Sequence, residues 1–277
     1  MENNFLIEHD EDGAYINRNK VSDDEKKDDQ TWEQVAHRYR RESLQKHLKR
    51  QYENTIVLTG AGSSYNMGVR DKKGKWMGGL WEAAVSEFGY EELDNFCQKI
   101  NFSDLKPDNE TTDIEKLLTH AQLYHYVYGL SKSDEMTKKL KRMVKDACTL
   151  VLPPENPHRM FLRKLVSKKT KYTRPKIFTL NYDTLFEQAA EKNGFMIIDG
   201  FSYTYPRKFK GTNFDLDVVT RITNRNVLED NFVSNVVHIY KPHGSINWQR
   251  KGEDVIIENE AKESLMIYPS SNKYESS

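Results

Sequence analysis

The sequence predicts an α/β fold built on a mostly parallel sheet, and three observations carry that prediction. Short β-branched apolar runs alternate with longer stretches of helical periodicity, the pattern of strands joined by helical crossovers. Several of those runs end directly in turns rich in glycine or asparagine, as strands do where they leave a sheet. The 277 residues include 12 Phe, 15 Tyr and 4 Trp. These can anchor a substantial core although 30% of the chain is charged and only 37% hydrophobic.

Taken in order, residues 8–29 hold nine acidic and four basic side chains with few large apolar ones. Such composition offsets little of the entropy of ordering, so a mobile acidic leader is expected over residues 1–30. From Trp32 the residues Trp32, Val35, Ala36, Tyr39, Leu44 and Leu48 fall at helical spacing and predict an amphipathic helix. Thr55-Ile56-Val57-Leu58 reads as the first buried strand. A helical insertion is expected over about residues 77–168, opened by residues 80–85. Within it Thr112-x-x-Glu115 forms a capping-box pattern and Asn156-Pro157 a helix start. Strands resume at residues 176–180, 195–198 and 236–240, with weaker ones at 253–258 and 265–268. A second capping-box pattern, Thr184-x-x-Glu187, opens a helix that ends at Asn193-Gly194.

Composition excludes several classes of function. Lys+Arg and Asp+Glu both total 42, so no bulk field draws the chain to nucleic acid or anionic membrane. No apolar run approaches the roughly 18 residues of a membrane span, and the N-terminus lacks the apolar core of a signal peptide. A cytoplasmic protein is expected. The two cysteines, Cys97 and Cys148, are far apart and cannot build a four-thiolate zinc site; each reads as a small buried side chain. The chain stops shortly after a predicted strand, which leaves open that it is truncated at the C-terminus.

Three strand ends carry residues suited to chemistry. Thr59-Gly60-Ala61-Gly62-Ser63-Ser64 follows the first strand, and glycines there let backbone amides approach a phosphate. Tyr65 stands where the dehydrogenase pattern G-x-G-x-x-G needs glycine, so by itself the loop is equally a tight turn. Thr179-Leu180-Asn181-Tyr182-Asp183 follows another strand, at the sheet edge where α/β folds bind ligands. Asn181 can orient a water and Asp183 can accept from a ribose hydroxyl; both also suit a turn and a helix cap. Lys241-Pro242-His243-Gly244-Ser245 follows a third strand and, of eight histidines, His243 alone sits at such a strand-to-glycine junction. A histidine there can act as a general base near neutral pH.

Together these motifs resemble the sirtuin superfamily, and the wording Phe178-Thr179-Leu180-Asn181-Tyr182-Asp183-Thr184 with His243-Gly244-Ser245-Ile246-Asn247-Trp248 resembles the sirtuin-like NAD-hydrolysing domains of bacterial antiphage defence. Residues 268–274 are similar to the closing segment of those domains. The resemblance implies a Rossmann-like, DHS-like NAD-binding fold without a zinc ribbon, and NAD used as substrate with no metal. It implies hydrolysis of NAD to nicotinamide and ADP-ribose as the effector of an abortive-infection system. Asn181 and His243 would be catalytic; Thr59, Gly60, Ala61, Gly62, Ser63, Asp183, Gly244 and Ser245 would bind NAD. A homo-oligomer and a HerA-type ATPase or other defence partner are implied as well. Protein-deacylating sirtuins carry two cysteine pairs and place their histidine soon after the asparagine, whereas here it follows 62 positions later. Deacylation or ADP-ribosyl transfer is therefore the alternative, and a non-catalytic NAD-binding assembly module the alternative of another class.

Overall fold

In a computed structural model, which describes residues 6–50, 52–108, 110–128, 135–166, 173–220 and 232–268, the stretch expected as a mobile leader is folded. Strands β1 (Ile7–His9), β2 (Ala14–Ile16) and β3 (Asn19–Lys20) form an antiparallel sheet in that order. Asn17 and Arg18 have φ of 49° and 69°, the left-handed pair that a two-residue hairpin turn needs. Asp10 Oδ1 accepts from the backbone of Asp12 and Gly13 and closes the preceding turn. Helix α1 (Trp32–Lys49) starts at a capping box made by Thr31 and Gln34. Its Val35 and Ala36 bury with Ala14 and Val21, flanked by Ile7, Ile16, Trp32 and Tyr39.

The expectation fails because it counts apolar residues only locally. The charges of residues 8–29 occupy turns and exposed positions, and the missing apolar partners come from the helix beyond them. The chain accordingly divides at Glu53/Asn54 and not at residue 30, with α1 in the N-terminal unit.

The second unit, Asn54–Ser277, holds the expected α/β sheet. Strands β4 (Ile56–Thr59), β5 (Lys176–Thr179), β6 (Met196–Ile198) and β7 (Val236–Tyr240) pair in the order β4-β5-β7-β6. All three pairings are parallel, with Thr59 beside Thr179 and Phe178 beside Tyr240. This is the Rossmann-like architecture that the alternating pattern predicts. The helices are α2 (Met77–Phe88), α3 (Tyr90–Lys99), α4 (Ile114–Tyr128), α5 (Glu135–Cys148), α6 (Pro157–Val166) and α7 (Leu185–Glu191). A hairpin of β8 (Trp248–Lys251) and β9 (Asp254–Ile257) is separate from the parallel sheet. The weaker strands expected near the end thus do not extend that sheet: β9 pairs antiparallel with β8, and Met266 makes only an isolated bridge to Gly244.

Two apolar cores share this unit. In one, α6 and α7 pack on the sheet, with Leu162, Leu165, Leu185 and Ala189 meeting Ile177, Val237 and Ile239. In the other, α2 to α5 pack on each other through Trp81, Leu93, Leu117, Leu118, Leu140 and Val144, and Tyr182, Ile246 and Tyr268 join them. The expected helical insertion therefore splits: its last helix belongs to the layer covering the sheet, because Leu162, Leu165 and Val166 face β5 and β7.

Helix starts also differ from the sequence pattern. Asn156 Oδ1 accepts from Arg159 N at 3.0 Å as expected. Thr112, by contrast, is fully buried and accepts from Lys106 N, while Asp113 Oδ1 caps α4 by accepting from Glu115 N and Lys116 N. The Thr184 side chain makes no cap bond, and Glu187 turns to Lys241. A tertiary partner for a capping-box residue outweighs a local one worth about 1 kcal/mol.

His158 of α6 is buried beneath the sheet edge, its ring edge-on to Phe186 at 4.8 Å. Burial lowers its pKa below the usual histidine value, opposed by the Asp183 carboxylate and the Ser63 backbone. A depressed histidine contributes stability above its unfolded pKa that is lost as pH falls through the folded one. The melting temperature is therefore expected to fall as pH is lowered from 7 to 5, and His158→Phe to flatten that dependence in a calorimetric pH series.

Candidate functional site

Parallel pairing puts the carboxyl ends of β4, β5 and β7 side by side, and each strand delivers one of the three motifs to the same edge. After β4 the chain enters a single 3₁₀ turn, Ala61–Ser63. Gly60 is extended, and a Cβ there would meet nothing within 4 Å. Its use is the open space beside the backbone, which leaves room for a large anion to approach. Thr59 Oγ1 beneath the turn is buried and has no hydrogen-bond partner among the described residues. An open glycine edge with an orphaned hydroxyl fits a phosphate-bearing ligand.

Asn181 follows β5 and fastens this turn. Its Nδ2 donates to Gly60 O at 2.9 Å, Ser63 Oγ at 3.1 Å and Ser64 Oγ at 2.7 Å. Because the Gly60 carbonyl can only accept, the amide orientation follows. Oδ1 then faces away from the turn with no hydrogen bond to the described residues. Ser64 passes the connection on, donating to Asp183 Oδ2 at 2.5 Å. Asp183 Oδ1 accepts from Leu185 N at 3.0 Å and starts α7.

Asp183 is thus placed differently from a ribose ligand. It is 7% exposed, with both oxygens engaged inside the protein, and it acts beneath the loop on Ser64. Asp followed two residues later by the first helical residue carries an Asx-type cap signal; the long-range partner, 119 positions earlier, carries no local signal.

The third motif is held from below. Lys241, with its side chain only 2% exposed, donates to Glu187 Oε1 at 3.0 Å and to the Asp183 carbonyl. Ser245 is fully buried and its Oγ donates to Tyr182 O at 3.1 Å, joined by Ile246 N at 3.0 Å. Gly244 has φ +77°, and a Cβ would lie 2.0 Å from Leu265 O. Gly244 and Ser245 therefore shape the turn and do not line an open surface. His243 is half-buried, its ring 6.5 Å from that of Tyr182, and its carbonyl accepts from Ile267 N at 2.8 Å.

The motif reading assigns no site role to four supporting residues: Ser64, Tyr182 and Lys241, which stand within the three motifs, and Glu115, which does not. The Tyr182 hydroxyl lies 2.9 Å from Glu115 Oε1 and 3.0 Å from Ile267 O. Burial, and then Glu115, raises its pKa, so the phenol stays protonated and donates. Tyr65 and Trp76, each 47% exposed, lie with ring centroids 4.5 Å apart and planes tilted by 31°, with Trp76 at 3.8 Å from the position of a Cβ on Gly62. They form an aromatic wall beside the glycine turn. Burial pushes the Cys97 and Cys148 thiols up to about 12, which leaves both unreactive at neutral pH. Among the described residues no group of three or more His, Cys, Asp or Glu is placed to hold a metal ion, and no helix is long and apolar enough to cross a membrane.

Residues 175–276 match the family model of the SIR2-like domain. The matched stretch begins at β5 and contains Asn181, Asp183 and His243; the glycine turn after β4 precedes it. It also takes in the closing segment, of which residues 269–274 lie outside the described residues. No curated protein matches the chain.

Two substitutions test the scaffold under this site. Gly244→Ala combines a left-handed φ with overlap on the Leu265 carbonyl, and is expected to cost about 2–4 kcal/mol. Asp183→Ala strands the Ser64 hydroxyl and Leu185 N–H and is expected to cost about 1–3 kcal/mol. Urea unfolding of both variants measures these losses.

Proposed function

We propose that this chain binds NAD across the carboxyl ends of β4, β5 and β7 and hydrolyses it to nicotinamide and ADP-ribose. The observation that carries this reading is the Asn181 amide, whose nitrogen is tied to the glycine turn while its oxygen stays open at the same sheet edge as His243. The SIR2-like match over residues 175–276 supports NAD as the substrate.

In this reading Gly60, Ala61, Gly62 and Ser63 receive the pyrophosphate, with Thr59 Oγ1 beneath it, and Tyr65 and Trp76 flank it. Nicotinamide leaves ribose C1′ with the electron pair of the glycosidic bond, which neutralises its ring nitrogen and leaves positive charge on the ribose. Asn181 Oδ1 orients a water toward C1′. As the new C–O bond forms, His243 takes the proton of that water, so the products are nicotinamide, ADP-ribose and one proton. General-base assistance of this kind is worth about 10²–10⁴-fold. Asp183 positions Ser64 and through it Asn181; Gly244 and Ser245 set the angle of the turn that carries His243.

The motif resemblance supports a role in antiphage defence, with this chain as the NAD-depleting effector of an abortive-infection system in the cytoplasm. A homo-oligomer, with a HerA-type ATPase or another defence protein as partner, belongs to the same proposal. Destroying NAD is lethal to the producing cell, so turnover must wait for a trigger.

The test is nicotinamide release from NAD by the purified chain, alone and with candidate partner proteins. Asn181→Ala and His243→Ala are each expected to lower the rate by about 100-fold or more while melting within a few degrees of wild type. Release at the wild-type rate by both variants overturns the assignment. Release that requires an acylated or acceptor protein would redirect it to deacylation or ADP-ribosyl transfer.

A further inference from the structure

A cavity of about 820 Å³ lies away from the glycine turn, walled by α4, α5, Arg250 of β8, residues 261–266 and Tyr268. Its size suits a nucleotide-sized ligand. Its charge is one-sided: Lys138, Lys141, Arg142, Lys145, Arg250 and Lys262 line it, against Asp146 and Glu263. In a chain of zero net charge, six cations around one hollow make a local field that bulk composition hides.

The origin of this cluster is the amphipathic pattern of α5. Met136, Leu140, Met143 and Val144 are buried in the helical core, which turns Lys138, Lys141, Arg142 and Lys145 to the opposite side. Lys145 donates to the Ala261 carbonyl. Among the described residues no ion pair neutralises Lys138, Lys141, Arg142, Arg250 or Lys262. Burial lowers the pKa of Lys141, opposed by Glu263, so this ammonium is partly desolvated with Glu263 nearby but, among the described residues, no counter-charge within ion-pair distance. An arriving phosphate supplies one, in the charge-assisted bonds that Arg and Lys form best. Tyr126, 88% exposed on the same rim, offers a flat face for a base.

The cavity also shares a wall with the first site. Leu265 and Met266 line it, and the same segment clasps the histidine turn from behind. Ser245 N donates to Leu265 O at 3.0 Å, Ile267 N donates to His243 O at 2.8 Å, and Met266 bridges Gly244. A Cβ added at Gly244 would lie 2.0 Å from Leu265 O, so the segment packs directly against the backbone of the turn.

We propose that this basic cavity is a regulatory site for a nucleoside triphosphate, and that its occupancy shifts residues 261–268 and with them the His243 turn. Binding at the cavity is independent of the NAD-cleavage reading, and so is the structural coupling.

Isothermal titration of the full chain with magnesium-free ATP, and separately with inorganic tripolyphosphate, tests the site. Wild type binds ATP; Lys141→Glu/Arg142→Glu weakens it about 100-fold, as expected for losing two charge-assisted contacts. The exposed pair Lys138→Glu/Lys262→Glu, which does not touch the core, weakens it as well. Asn181→Ala, which alters only the glycine turn, leaves it unchanged. No ATP binding by wild type, or loss in Asn181→Ala with retention in both charge-reversal variants, overturns the site. Tripolyphosphate binding as tight as ATP overturns the nucleoside part of the assignment. For the coupling, the His243 ring signal in a histidine-labelled NMR spectrum, identified by its loss in His243→Ala, shifts on ATP addition in wild type and stays fixed in Lys141→Glu/Arg142→Glu. An unmoved signal at saturating ATP overturns the coupling.

Discussion

The hydroxyl of Ser64 is the point on which the candidate site depends. It accepts from Asn181 and donates to Asp183, so one buried side chain joins the loop after β4 to the loop after β5. A hydroxyl can do both at once, and a carboxylate acceptor makes the second bond strong. The Asn181 amide is in turn drawn to the Gly60 carbonyl, which leaves its oxygen facing outward. Without Ser64, Asp183 would be a buried carboxylate short of a donor and Asn181 would lose a tether. Three strand ends would remain adjacent, but their side chains would not be held in register.

A comparable economy governs the histidine turn. Lys241 is almost fully buried and is satisfied by Glu187 and the Asp183 carbonyl, which binds the loop after β7 to the start of α7. From the other side Tyr182, Glu115 and residues 265–267 close over it. Breaking a buried pair of this kind typically costs about 3–5 kcal/mol. The helical core therefore does more than add mass: Tyr182, Ile246 and Tyr268 belong to it, so packing among α2 to α5 is continuous with the floor of the site. That continuity also gives the basic cavity a mechanical route to His243.

Much of this was legible in the chain. The strands at residues 56–59, 176–179 and 236–240 stand where β-branched apolar runs stop at polar or glycine turns, although the first of them is not the buried strand its apolar run predicts, since Ile56 is 67% and Leu58 70% exposed. The Asn156 cap and the Gly194 helix end, with φ +68°, were equally local. The N-terminal sheet was not, since its apolar partners Val35 and Ala36 come from a helix beyond any short window. Nor were the caps at Thr112 and Thr184, where a buried site and a tertiary ion pair displaced the local pattern.

Sequence alone determined the strands of the parallel sheet, the helices that follow them and that Asn181 and His243 each stand at the end of a strand, because hydrophobic period and turn chemistry act over a few neighbouring residues. Only the tertiary structure decided that Asp183 works beneath the loop, that Gly244 and Ser245 are scaffold, and that six cations gather around one cavity. Those roles depend on which distant backbone or side chain comes within 3 Å, and parallel pairing of β4, β5 and β7 settles that across separations no local pattern spans.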